Sequence, residues 1–130
     1  MMAVDNALYA LLTEDAQLRA LAPGGVYRGT ADQDAPTPYV SYQQQAGDRR
    51  YTFGSGWREL TYQIKAVDQN DDSEPAQRVQ QRLEVLLQHA VLTLDGYGTL
   101  IVSQVSDIEY EEPGERPWQH VGGLWEIKAQ

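Results

Sequence analysis

The chain has 130 residues and a formal charge of -9, and its apolar content of 42% is ordinary for a globular protein. It is long enough to enclose one hydrophobic core but too short for two ordinary domains. No apolar run approaches the ~20 residues that span a bilayer, and the N-terminus lacks the basic and apolar regions of a secretory signal. The absence of cysteine excludes disulfides and thiolate metal sites. We therefore expect one soluble, intracellular domain over residues 1–130, with no membrane partner.

The distribution of charge argues against nucleic-acid recognition. The ten lysines and arginines are spread along the chain and cluster no further than the pair Arg49 and Arg50, whereas nucleic-acid binding requires a basic patch. The acidic residues do form a cluster: Asp107, Glu109, Glu111, Glu112 and Glu115. Such a run is typical either of a solvated edge or of a docking surface for a basic partner.

The first predicted element is a helix over residues 2–21, where apolar residues recur at spacings near three and four. Thr13 is followed by two acidic residues and is a candidate N-cap that would divide this helix in two. The helix should end at Pro23 and Gly24, because proline cannot donate a backbone hydrogen bond and glycine readily takes the left-handed cap conformation.

Three strands and a second helix follow. Short strands are predicted at about 26–28 and 39–45, and the clearest strand covers residues 57–67. Its apolar residues alternate with polar ones: Leu60, Tyr62, Ile64 and Ala66. After a polar turn comes an amphipathic helix over residues 74–90, whose apolar stripe consists of Ala76, Val79, Leu83, Leu86, Leu87 and Ala90. This helix should fold back onto the apolar face of the preceding strand.

The connection over residues 46–56 is long for a hairpin and carries two aromatic residues, two arginines and three glycines. Long loops in compact domains are usually functional or disordered. Two interpretations remain open: a loop with its aromatic side chains folded onto the domain surface, or a loop that binds a partner.

The C-terminal part predicts three more strands, at about 91–94, 99–110 and 118–128, joined by turns. Strict alternation in the middle one would place four apolar residues on one face, Leu100, Val102, Ile108 and Tyr110, and would place Ile101 and Val105 on the opposite face. Adjacent long strands joined by a turn should pair antiparallel. The predicted fold class is α+β, a mostly antiparallel β-sheet with two main α-helices packed on one face.

No arrangement of residues typical of an enzyme occurs. His89 and His120 have no histidine, cysteine or carboxylate at metal-ligand spacing. Pairs of carboxylates occur in polar turns, where burial cannot raise a pKa for acid catalysis. We therefore expect no catalytic residues, no cofactor, no metal site and no enzymatic activity.

The order of several stretches is more informative than any one motif. The opening A-L-Y-A-L-L-T-E-D-A-Q-L-R-A-L is followed by G-G-V-Y-R-G-T-A-D-Q-D-A-P-T-P-Y-V-S-Y-Q, then by the strand R-E-L-T-Y-Q-I-K-A-V and the helix with A-Q-R-V-Q-Q-R-L-E-V-L-L. In this order they resemble the tail-completion proteins of tailed bacteriophages, including the tail terminators of long non-contractile tails. The resemblance covers nearly the whole chain and is most specific over residues 24–43.

This resemblance implies a structural protein of the virion. Its subunits assemble as a ring, commonly of six copies, which caps the finished tail tube, stops its polymerisation and offers the surface that the head connector joins. The implied partners are further copies of the chain, the tail tube protein and a head connector or head-completion protein. The implied location is the head-proximal end of the tail, after assembly in the bacterial cytoplasm. The alternatives are a head-tail connector or neck protein, and an enzyme or ligand-binding domain with a cleft between helix and sheet.

A head-to-tail ring requires two different complementary patches on each subunit. We therefore expect the acidic segment, residues 107–115, to meet basic side chains of the next copy, with Arg49, Arg50 and Arg58 as candidates. A second hypothesis assigns residues 46–56 to the tail tube, with Tyr51 and Phe53 as aromatic anchors. The two hypotheses compete for the same arginines.

Overall fold

The secondary structure is taken from a computed structural model, which describes residues 2–52, 55–94 and 97–129. Side chains are described for residues 2–47, 58–90, 92 and 102–128. The elements in chain order are α1 (Met2–Glu14), α2 (Ala16–Leu21), β1 (Val26–Arg28), β2 (Tyr39–Thr52), β3 (Ser55–Gln69), α3 (Glu74–Leu87), β4 (Val91–Leu94), β5 (Tyr97–Glu112) and β6 (Trp118–Ala129). None of the helices in the described ranges is long and apolar enough to cross a membrane.

The strands of the described residues form one mixed sheet in the order β1-β2-β3-β6-β5-β4. β1 and β2 are parallel, and the other pairings are antiparallel. β3 lies inside the sheet and pairs with β6 from Arg58 opposite Ala129 to Gln69 opposite Trp118. The fold is therefore α+β and mostly sheet, as the sequence predicts.

The hydrophobic core lies against one face of β3. Every second side chain of this strand is fully buried: Leu60, Tyr62, Ile64 and Ala66. The predicted stripe of α3 belongs to the same cluster, and α1 adds three further side chains: Val4, Leu8 and Leu12. Burial of each such aliphatic side chain contributes about 1.5–3 kcal/mol before conformational entropy is subtracted. The apolar residues that recur with a period of two in β3 and with a period of 3.6 in the helices therefore pack into one hydrophobic core.

Residues 46–56 do not form the long loop predicted from the sequence. β2 continues to Thr52 and β3 begins at Ser55, and the two strands are paired in register from Ala46 opposite Thr61 to Thr52 opposite Ser55. A hairpin satisfies the backbone donors and acceptors that a long loop would leave to solvent. This part of the ladder begins at a register shift between Gln44 and Ala46, which is typical of a β-bulge.

The predicted helix over residues 2–21 is two helices, and the cap that separates them is Asp15 rather than Thr13. The Asp15 carboxylate accepts a hydrogen bond of 2.7 Å from the backbone N–H of Leu18, while the Thr13 hydroxyl donates to the carbonyl of Tyr9. Arg82 of α3 donates two hydrogen bonds to the same carboxylate, at 2.9 and 2.7 Å. These bonds from Arg82 lower the pKa of Asp15, against the opposing effect of its burial. One aspartate thus caps α2 and ties it to α3.

The second predicted helix is also shorter than expected, because α3 ends at Leu87 rather than at residue 90. His89 has a positive φ of 58°, a conformation that terminates a helix. Its backbone N–H donates to the carbonyl of Val102 in β5. The chain therefore leaves the helix to meet the sheet three residues early.

A bulge in β5 reverses the predicted alternation of that strand. The register with β6 shifts between Gln104 and Ser106, so that Val105 is an extra residue. Val102 shares the core face, but Ile108 and Tyr110 lie on the opposite face, in contrast to the sequence prediction. One inserted residue moves every later side chain to the other side of a strand.

A polar contact fixes α1 to the sheet. Asp5 of α1 accepts a hydrogen bond of 2.6 Å from the hydroxyl of Tyr62 in β3, and Arg28 of β1 donates to its other oxygen at 3.2 Å. Tyr42 of β2 donates to the Asp5 backbone carbonyl at 3.2 Å. Burial and the bond to Asp5 raise the pKa of Tyr62, so the phenol remains a proton donor throughout the neutral range.

Replacing Leu83 by alanine should destabilise the protein by about 2–5 kcal/mol, because it opens a cavity in the core between α3 and β3. The matched control is Val85→Ala on the same helix, since Val85 is 70% exposed, and it should cost less than about 0.5 kcal/mol. Urea unfolding followed by circular dichroism measures both. Equal losses would contradict the placement of the helix stripe.

Candidate protein-interaction site

The predicted acidic residues lie together on an exposed surface, which we call the acidic strand end. It consists of Asp107, Glu109, Glu111 and Glu112 of β5 with Glu115 of the following turn. Because the bulge at Val105 shifts the alternation, the first three share the face of the sheet that carries Val102. The remaining member of the strand, Glu112, lies on the opposite face. The sequence predicted the cluster but not this division between faces.

Three of these carboxylates are held by neutral glutamine amides. The bonds are Gln104 Nε2 to Asp107 Oδ1 at 2.9 Å, Gln77 Nε2 to Glu109 Oε1 at 2.7 Å and Gln119 Nε2 to Glu111 Oε1 at 3.1 Å. An amide orients a carboxylate without neutralising it. Among the side chains that the structure describes, no lysine or arginine forms an ion pair with any of the three. The acidic strand end is therefore positioned by its own subunit and keeps its negative charge.

The opposite face of the same strands carries an aromatic cluster around His120, which the sequence analysis missed. The His120 ring stacks on Tyr110 with centroids 4.4 Å apart, and Lys65 donates a hydrogen bond of 2.9 Å to the Tyr110 hydroxyl. Glu112 Oε1 lies 3.0 Å from His120 Nε2, because the pairing of β5 with β6 brings the two residues together across the turn. The spacing of the two residues in the sequence did not indicate this contact.

The environment of His120 favours its neutral form. Burial, and then the positive charge of Lys65, lower the pKa of His120, while Glu112 opposes the shift. His120 is only 7% exposed, and within the described residues its Nδ1 has no hydrogen-bond partner. Protonation would therefore place a charge in a site with little solvent.

We expect His120 to make folding sensitive to pH. Its pKa in the folded protein lies below the unfolded value of about 6.5, so stability should be lost as pH falls through the unfolded value towards the lowered one. Urea unfolding between about pH 7.5 and 5 should show this slope, and His120→Gln should flatten it.

The control is His89→Asn, since His89 is exposed and asparagine tolerates its positive φ. This variant should keep the slope of the wild type. A slope that survives in His120→Gln would show that His120 is not its origin.

The basic candidates lie in the hairpin formed by residues 46–52 of β2 and residues 55–61 of β3. We call this hairpin the β2–β3 arm. Arg49 is directly opposite Arg58, and Arg50 is opposite Trp57. Arg58 is half-buried, and its Nε has no hydrogen-bond partner in the described part of the chain. For Arg49, Arg50 and Tyr51 the structure describes the backbone alone, and Phe53 lies outside the described residues.

The β2–β3 arm and the acidic strand end are far apart in one subunit. Glu109 of β5 is paired with Val121 of β6, and Val121 is paired with Ala66 of β3. Arg58 lies eight residues further along β3, about 26 Å at 3.3 Å per residue. The two charged regions therefore cannot neutralise each other within one copy of the chain.

Two depressions mark the surface of the described residues. One, of about 400 Å³, lies between α3 and β5 and is lined by Glu84, Gln88, Gln104, Val105, Ser106 and Asp107. Its polar groups bond one another, since Gln104 donates from its amide to Asp107 and from its backbone N–H to Gln88. The other, of about 270 Å³, lies between the N-terminal helices and β1. No group of three or more His, Asp or Glu side chains in the described ranges could hold a metal ion.

Comparison with known proteins identifies the class of the fold. The chain shares its fold with a protein from the virion of a native gene transfer agent particle, with a TM-score of 0.83, 17% identity, and coverage of 98% of this chain and 95% of that one. A second solved structure matches with a TM-score of 0.65, 15% identity, and coverage of 98% and 93%. No curated protein sequence matches.

The family follows from the sequence match. Residues 6–121 match the model of the family described as tail completion protein gp17, and the chain belongs to this family. It is a structural tail completion protein of a phage-like particle. The resemblance predicted from the order of its strands and helices is confirmed.

Proposed function

We propose that the protein assembles as a head-to-tail ring of six copies that caps the tail tube, ends its polymerisation and offers the surface that the head connector joins. The observation that carries this proposal is the separation of two unlike charged regions on one subunit. A head-to-tail contact requires two different complementary patches, whereas a two-fold dimer uses one patch twice. The acidic strand end and the β2–β3 arm meet this requirement.

The chemistry of each region supports a contact between copies. The carboxylates of the acidic strand end are oriented by glutamine amides and remain charged. In the arm, Arg49 and Arg58 are paired in the ladder, so two basic residues share one position that a carboxylate from the neighbouring copy could approach. Each exposed pair contributes only about 0.2–1 kcal/mol, so several pairs at every interface are required.

The helices complete the proposed architecture. α3 contacts β3, β5 and β6, and α1 contacts β1 and β4, and both helices contribute to one core cluster. We propose that both pack on the same face of the sheet. The other face, with Tyr110, His120 and Lys65, is then available for contacts within the virion.

Reversing the charge of the arm should weaken the ring. Arg49→Glu with Arg50→Glu should lower the mass measured by light scattering, on purified protein or on protein assembled on tail tubes. Adding Glu109→Lys and Glu111→Lys to the same chain should restore assembly, because the complementary signs are then exchanged.

The matched control is Arg19→Glu with Arg78→Glu, which changes net charge equally on α2 and α3 and should leave the mass unchanged. An unchanged mass in the arm variant would contradict the pairing. An equal loss of oligomer mass in the arm variant and in the control would show that net charge, and not the proposed pairing, causes the effect.

We propose that the tip of the β2–β3 arm contacts the tail tube through Tyr51 and Phe53. Their replacement by alanine should abolish co-sedimentation with tail tubes while the ring remains intact, because aromatic anchors contribute much of an interface's binding energy. Retained tube binding would remove this assignment. Binding to the head connector but not to the tube would instead assign the protein to the neck.

A further inference from the structure

Two strand edges of the described sheet are open and unlike each other. β4 pairs with β5 only over residues 97–101, so the outer edge of β5 over residues 105–112 faces no strand. β1 pairs with β2 only over residues 40–42, so the outer edge of β2 over residues 46–52 faces no strand of the described sheet either. The residues of the β5 edge are exposed, apart from the half-buried Ile108. An edge with unpaired backbone donors and acceptors is a template for another strand.

The directions of these strands suit each other. β2 is antiparallel to β3, β3 to β6 and β6 to β5, so β5 runs opposite to β2. A second copy placed beside β5 in the same orientation therefore presents its β2 antiparallel to β5. Antiparallel pairing is the more stable arrangement per residue.

Charge decides which edges can meet. The β5 edge carries four carboxylates, at Asp107, Glu109, Glu111 and Glu112. Two such edges would repel each other, because like charges opposite one another destabilise a ladder. The β2 edge carries Arg49 and Arg50 beside one aspartate. The pattern therefore disfavours a two-fold pairing of identical edges and favours a contact between unlike ones.

We infer that the outer edge of β5 in one copy pairs with the outer edge of β2 in the next, so that backbone hydrogen bonds join the sheets of neighbouring copies. This inference rests on the proposed ring and specifies how its copies are joined. Attraction between the acidic strand end and the arginines of the β2–β3 arm then aligns the two edges, and the backbone hydrogen bonds between these edges form the main contact.

The registers also predict a displacement between copies. Across the sheet, Gln43 of β2 is level with Gln63, Leu124 and Ser106. From this row of paired residues, the open edge of β5 extends towards one end of the sheet, and the open edge of β2 extends towards the opposite end. Pairing therefore displaces the next copy along the strands by roughly 25 Å, about the length of one open stretch. In a closed ring the strands must then be inclined to the ring axis, as in a barrel.

Disulfide cross-linking tests the inference directly, because the natural chain contains no cysteine. Chains with Ser106→Cys or Glu112→Cys are each combined with Ala46→Cys, Asp48→Cys or Arg50→Cys, because the registers place these positions of β5 and β2 on the same face of the sheet. These chains are oxidised under conditions in which the wild type forms the ring, purified or on tail tubes. A disulfide requires Cα atoms about 4.4–6.8 Å apart, so at least one combination should give a ladder from dimer to hexamer on a denaturing gel.

The single-cysteine chains are the controls and should not cross-link, since in a head-to-tail ring the two cysteines come from different strands. Dimers from a single-cysteine chain would show a two-fold edge contact and overturn the inference. An intact ring with no cross-link in any combination would also overturn it while leaving the proposed ring standing. The absence of any oligomer, in solution and on tubes, would refute the proposed function itself.

Hydrogen exchange supplies a second measurement that does not depend on the choice of cysteines. Ring formation should slow exchange of the amides in residues 105–112 at least tenfold, because those that face outward gain strand partners. A contact made by side chains alone would leave their exchange rate unchanged, and that result would overturn the inference.

Discussion

The burial of alternate side chains on β3 is the constraint on which the rest of the structure depends. β3 is hydrogen-bonded on both sides, to β2 and to β6, and its core face is filled by Leu60, Tyr62, Ile64 and Ala66. A shift of one residue in either ladder would turn this face to solvent, so both registers are strongly specified. Side chains of α1 and α3 belong to the same core cluster, and the hydrogen bond from Tyr62 to Asp5 ties α1 to β3.

The bulge in β5 connects this core to the surface proposed for assembly. Before Val105 the strand contributes Val102 to the core, and after it the same face carries Asp107, Glu109 and Glu111. These carboxylates then lie within reach of glutamine amides from α3, β5 and β6. Bulges at sheet edges commonly re-aim side chains in this way. One end of β5 thus contributes to the hydrophobic core, and the other end forms a charged edge of the sheet.

Local sequence patterns predicted the elements that have strong periodicity. They failed where tertiary contacts determine the secondary structure. The strand over residues 57–67 and the stripe of α3 were predicted because burial imposes a repeat on the sequence. The glycines and arginines of residues 46–56 are typical of a loop, yet pairing with β3 makes them a hairpin. No local signal marks Val105 as a bulge. Of the candidate site, the acidic run was visible in the sequence, but its glutamine partners were not, because they come from three separate elements.

The central claim is that unlike patches join copies of this tail completion protein into a closed ring. Light scattering of the purified wild-type protein, across concentration and salt and with tail tubes added, tests it most directly. We predict one discrete species with six times the mass of the 14.6 kDa chain, and higher salt should raise the protein concentration at which it forms, because salt screens the charged contacts. A monomer under every condition, including on the tubes, would contradict the ring, and a two-fold dimer would contradict the head-to-tail contact.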